Sequence, residues 1–270
     1  MMDPQLGVSS SLSPSAERTN QSRQNSRGTN RVHFEKAQDG VWELRGWAAR
    51  DIEAGVTDRR LDQARLLQHL QQRRQPVTAV AAEQVHGASL TIIGRRDHTA
   101  CVAGCDALLT RLAGVVLLVR SADCVPLLFA DPSRRVVGIA HAGWRGLAAG
   151  LPARVIAAFH HAFGSRADDV RVAVGPAIRL CCYDVGAEFS RHFGSFVQER
   201  GDRRTCDLIG VAAQQLRQAG VRPAYITDTQ HCTACEPQHW FSLRREGPST
   251  GRLTSFIMIR PWQTGERCEV

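Results

Sequence analysis

The chain has 270 residues, 43% hydrophobic and 22% charged, which gives a sizeable core and excludes a disordered, collagenous or coiled-coil class. Its formal charge is +8, yet the arginines stand in singles and pairs, only Lys36 is a lysine, and aromatics are 6%, which argues against a nucleic-acid surface. The longest apolar run, residues 112–119, is far short of the ~20 residues of a membrane helix. No apolar leader opens the sequence, so the expectation is a cytoplasmic protein without membrane contact. Its nine cysteines then serve as core residues, nucleophiles or metal ligands rather than disulfides.

Residues 1–38 are rich in Ser, Gln and Asn, with Val32 and Phe34 the sizeable apolar groups near their end, which predicts a disordered tail. Residues 39–270 read as a single domain. Leu61, Leu66, Leu67 and Leu70 keep helical spacing. Short β-rich runs follow at 77–85, 88–93, 115–119, 127–130 and 136–140. The stretch 154–163 is amphipathic, with Val155, Ile156, Phe159 and Phe163 on one face and Pro152 near the first turn. Residues 170–174 read as a strand, 185–197 and 208–216 as helices, and 224–227 and 255–259 as closing strands. Interleaved elements of both types predict a mixed α/β class with a largely buried sheet.

Three strand ends carry a potential metal ligand beside small residues: Gln84-Val85-His86-Gly87, Ala122-Asp123-Cys124-Val125-Pro126 and His141-Ala142-Gly143-Trp144-Arg145-Gly146. Two imidazoles and a thiolate suit zinc, or copper, and three protein ligands leave a position open, as catalytic sites do. Asp106 and Asp123 stand ready to support them. The intervals of 38 and 17 residues match no short ligand motif, so a buried cysteine with two hydrogen-bonded histidines stays open as well. A second constellation, His231-Cys232-Thr233-Ala234-Cys235 with His239, reads as a structural zinc or a redox pair. Adjacent Cys181 and Cys182 read as core packing. Ser242-Leu243-Arg244-Arg245-Glu246-Gly247 with Thr250-Gly251-Arg252 is a cationic loop able to hold an anion, or an exposed basic turn.

The run from Cys105-Asp106-Ala107-Leu108-Leu109-Thr110 through Ser121-Ala122-Asp123-Cys124-Val125-Pro126 to His141-Ala142-Gly143-Trp144-Arg145-Gly146 resembles the multicopper polyphenol oxidase (laccase-domain) family. Members of that family are also described as purine nucleoside phosphorylases. Gly175-Pro176-Ala177-Ile178, Cys182-Tyr183-Asp184-Val185-Gly186, Cys232-Thr233 and the Ser242–Arg252 phrases extend the likeness over roughly 77–259. Residues 47–55 depart from it, lacking the usual Asn-Leu-Gly phrase, and Cys105 stands where Ala is usual. The resemblance implies a layered α/β/β/α sandwich with a metal cleft at strand ends. It makes His86, Cys124 and His141 the ligands of one metal per subunit, zinc with copper as the alternative.

A laccase needs a type 1 copper and a trinuclear cluster, yet among ten His there is no His-x-His, and Met is found three times. The favoured reading is therefore a metal-dependent purine nucleoside phosphorylase. It would cleave adenosine, inosine or methylthioadenosine with phosphate to free base and ribose 1-phosphate, with adenosine deamination as a side activity. Cys124, Arg244 and Asp123 are the expected catalytic residues, and Gln84, Arg145 and Ser242 the expected substrate-binding ones. Alternatives are a copper-dependent polyphenol oxidase, a metal-free cysteine hydrolase using Cys124, and a non-enzymatic binding module. The expected assembly is a monomer or homodimer, without nucleic acid.

Overall fold

The Val-, Leu- and Ile-rich runs are too short for helices and become strands. A computed structural model describes residues 32–37, 40–46, 51–73, 77–94 and 100–261. In chain order it begins β1 (His33–Lys36), β2 (Val41–Arg45), β3 (Ile52–Thr57), α1 (Gln63–Arg73), β4 (Thr78–Ala82), β5 (Leu90–Ile93) and β6 (Cys101–Val102). The middle is β7 (Ala107–Thr110), β8 (Val115–Ser121), β9 (Val125–Asp131), β10 (Val136–Ala142), α2 (Trp144–Ala148), α3 (Leu151–Phe163) and β11 (Arg171–Val174). It closes with α4 (Phe189–Phe193), β12 (Val197–Arg200), β13 (Arg203–Cys206), α5 (Leu208–Gln218), β14 (Ile226–Asp228), α6 (Leu243–Glu246) and β15 (Leu253–Ile259).

The strands form a seven-stranded sheet in the order β1-β2-β3-β15-β8-β4-β6 and a six-stranded sheet, β14-β11-β9-β10-β7-β5, with β12-β13 as a separate ribbon. Both large sheets are mixed: β4 runs parallel to β8, β5 to β7 and β11 to β14, among antiparallel neighbours.

Side-chain alternation along the strands sorts the core into three layers. Leu128 and Ala130 of β9 meet Leu117 and Val119 of β8 and Ile257 of β15 between the sheets. Leu127 and Phe129 turn the other way, onto Val155 and Phe159 of α3 and Leu216 of α5. Val116, Leu118 and Met258 face outward from the larger sheet onto Leu66 and Leu70 of α1. The result is the layered α/β/β/α sandwich, and each fully buried Leu or Phe in it contributes roughly 1.5–3 kcal/mol.

Helix α3 begins at Leu151 with Pro152 in its first turn and stops at Gly164, whose φ of 67° is the left-handed cap glycine tolerates. Two expectations need correction. The tail was expected to reach residue 38, but residues 33–36 form β1: Phe34 is buried against the inter-sheet core, and the strand pairs with β2. Residues 1–31 and 38 of that expected tail lie outside the described residues. The helix expected at 185–197 shrinks to α4, because the Val185 amide bonds to the Arg204 carbonyl at 2.9 Å and Gly194, at φ 50°, ends the turn. No helix among the described residues is long and apolar enough to cross a membrane.

Candidate active site

Register places the key residues at one end of the six-stranded sheet. Pairing of Ala140 with Ala107 and of His141 with Pro126 brings the start of β7, the start of β9 and the end of β10 together. The loop from β4 to β5 adds His86. The donor atoms of His86, Cys124 and His141 all lie within 4.8 Å of one another. The two imidazoles meet edge to face, centroids 4.9 Å apart. His141 is buried, Cys124 half-buried and His86 exposed, so the cluster opens to solvent on the His86 side.

Asp106, wholly buried, organises this cluster. Its carboxylate accepts from the His86 amide at 2.9 Å, from the Gly87 amide at 2.7 Å and from His141 Nδ1 at 3.0 Å. A carboxylate can only accept here, so Nδ1 carries the proton and Nε2 of His141 is the atom offered to a ligand. His86 of the cluster and two residues beside it hold left-handed backbone: Gln84 at φ 68°, His86 at 61° and Asp123 at 96°. Each costs about 1–3 kcal/mol for a non-glycine residue and persists where surrounding bonds enforce it. For Gln84 those bonds are its own amide group, which accepts from the Arg120 amide at 2.8 Å and donates to the Arg120 carbonyl at 2.5 Å. For Asp123 they are Thr233 Oγ1 at 2.6 Å and the Arg244 amide at 2.7 Å, both donating to its carboxylate.

The electrostatics follow from this packing. Burial disfavours a Cys124 thiolate, but hydrogen bonds from His141 and His86 outweigh it and bring the thiol down to about 6. Burial likewise opposes charge on His141, and its bonds to Asp106 and Cys124 prevail, pushing it up to about 9. With the His141 Nε2 proton displaced, a thiolate between two imidazoles is the donor set of a zinc or copper site. Room for an ion is kept by Gly143: a Cβ there would lie 3.3 Å from Cys124 Sγ and 3.4 Å from His86 Cδ2. Gly146 serves the same corner, since a Cβ there would be 2.7 Å from the Gly87 carbonyl. These residues fit a metal ion.

The arginine loop divides into two roles. Arg245 turns inward, donating to the carbonyls of Thr233 at 2.6 Å, Ala234 at 3.0 Å and Trp240 at 2.7 Å. Arg244 stays exposed, its guanidinium 5.0 Å from the Tyr183 ring and donating to the Asp184 carbonyl. Ser242 is fully buried and caps α6, its Oγ accepting from the Arg245 amide at 3.2 Å. Arg145 is exposed and stacks on Trp144 at 4.4 Å. Sequence reasoning passed over Tyr183, Thr233 and the aromatic wall. Tyr183 meets Phe189 at 5.8 Å, and Phe189 meets Trp144 at 5.2 Å, next to Gly143. Burial, with Cys124 nearby, pushes the Tyr183 phenol up to about 12, so it stays protonated. The motif phrases contained these residues, but nothing in their spacing revealed a common wall.

A family model described as multi-copper polyphenol oxidoreductase laccase matches residues 33–260. The chain belongs to this family. It is 37% identical over 194 residues to a purine nucleoside phosphorylase, YlmD, of Geobacillus stearothermophilus, covering 66% of this chain and 71% of that one. Over 194 residues it is 32% identical to an adenosine deaminase, RL5, from an unknown prokaryote, covering 66% and 74%. The crystal structure of the Geobacillus YlmD superposes with a TM-score of 0.77 at 29% identity, spanning 85% of this chain and all of that one. This family thus includes relatives named for nucleoside chemistry, and the mixed α/β fold is shared with one of them.

Proposed function

We propose that this chain is a purine nucleoside phosphorylase of the cytoplasm that holds one zinc ion at His86, Cys124 and His141. The observation that carries the reading is an open three-donor cluster, braced by buried Asp106, beside an exposed Arg244 fork and an aromatic wall. A zinc ion there supplies Lewis-acid polarisation. The remaining work falls to the chain. The Trp144–Phe189–Tyr183 wall, whose neighbouring rings are inclined at 47° and 80°, offers an apolar surface against which a purine base packs. The Arg244 guanidinium, with Arg145 at the rim, holds phosphate for attack on the anomeric carbon as the bond to the base breaks. Asp123 is a positioning residue: its carboxylate accepts from the Arg244 amide and the Thr233 hydroxyl and so fixes the arginine loop rather than meeting substrate. Gln84 and Ser242 likewise act as supports, through Arg120 and through the cap of α6.

Copper-based phenol oxidation is disfavoured by the surroundings. Met258, the methionine among the described residues, is buried under α1 and offers the triad no axial thioether. Deamination has more in its favour, since the relative RL5 is named for it and the same open site could serve it. Incubation of purified protein with adenosine, inosine or methylthioadenosine, with and without phosphate, separates these readings by chromatography. Phosphate-dependent base release supports the proposal; ammonia without base release assigns a deaminase, and neither product overturns both.

A further inference from the structure

A second cysteine cluster lies outside the triad. The sulfurs of Cys181, Cys182, Cys232 and Cys235 all fall within 4.8 Å of one another. Cys181 lies 3.7 Å from Cys232 and 3.5 Å from Cys235, and Cys182 lies 3.3 Å from Cys235. These contacts are far longer than the ~2.05 Å of a disulfide. They approach the separation of about 3.8 Å that four sulfurs adopt around a tetrahedral ion at ~2.3 Å.

The backbone explains how two distant pairs converge. The amides of Cys182 and Tyr183 both bond to the Arg179 carbonyl at 2.9 Å, a turn tight enough to bring adjacent cysteines to one centre. This corrects the core-packing role expected for them: Cys181 is exposed and Cys182 half-buried. The second pair sits on its own turn, where the Glu236 amide bonds to the Cys232 carbonyl at 3.2 Å. A parallel bridge between Ala177 and Cys232 locks the two segments, with the Thr233 amide on the Ala177 carbonyl at 3.0 Å. The neighbouring histidines are otherwise engaged. His231 Nδ1 bonds to Glu236 at 2.9 Å, and the rings of His231 and His239 pack on Trp42 at 5.3 and 5.1 Å.

We propose that Cys181, Cys182, Cys232 and Cys235 form a second metal site that holds a structural zinc ion. Four thiolates fill a tetrahedral shell and leave no position for substrate. The ion cross-links the segment carrying Tyr183 and Asp184 to the segment carrying Thr233. Those residues hold Arg244 and Asp123, so the staple fixes one wall of the candidate active site.

Zinc content and cobalt(II) absorption of the full chain, purified with zinc under reducing conditions, test this independently of any nucleoside activity. Wild type should carry two zinc ions, and Cys124→Ala should keep one that cobalt replaces with an intense tetrathiolate spectrum. A Cys181→Ser/Cys235→Ser variant should keep the other and lose that spectrum. If the double variant does not fold, the metal retained by Cys124→Ala still decides. A single zinc that Cys124→Ala removes overturns the proposal, as do disulfides among the four cysteines in place of metal.

Discussion

The triad and the four-cysteine cluster flank the same segment, since the Ile178 amide bonds to the Asp123 carbonyl at 2.9 Å and Ala177 pairs with Cys232. They differ in what completes them. At the triad, two imidazoles and a thiolate face a glycine-lined space, and a buried carboxylate sets the orientation of one imidazole. At the cluster, four like donors face each other, brought together by the bridge between Ala177 and Cys232. Three donors with an open side suit a reactive metal centre, whereas four donors turned on one another suit a structural one.

The comparison breaks most sharply at Cys124. Replacing it with alanine should lower base release on the order of 1,000-fold in steady-state assays while the fold, read by circular dichroism, is kept. Arg244→Ala comes next: its kcat/KM for phosphate should fall ~100-fold, because a guanidinium fork on a dianion is lost. Arg134→Ala, a solvated surface arginine on the same measurement, should stay within about twofold. Asp106→Asn should act one step further out. It leaves all three donors in place but weakens their orientation, so chelator competition should show zinc bound about 10- to 100-fold less tightly.

Much of the architecture was legible because apolar runs such as those of β8, β9 and β10 are buried on both faces and leave little ambiguity. The triad was legible through the phrases around it rather than its spacing, since strand register brings Cys124 and His141 together and a loop adds His86. Polar residues beside a ligand or an arginine pair, such as Gln84 and Ser242, read as substrate contacts; their bonds to the Arg120 backbone and to the start of α6 leave no mark in the local sequence. The cysteine cluster was out of reach, as its two pairs sit about 50 residues apart and meet through a single β-bridge. Phe34 gave too little apolar signal for β1, whose order comes from pairing with β2.

The central claim is that phosphate, not water, attacks the nucleoside at the open site. Mass spectrometry of products formed from adenosine and phosphate in water enriched in heavy oxygen tests it most directly. The account predicts adenine and ribose 1-phosphate in equal amounts, neither carrying the label. Heavy oxygen at the anomeric carbon of free ribose, or in inosine, would contradict it.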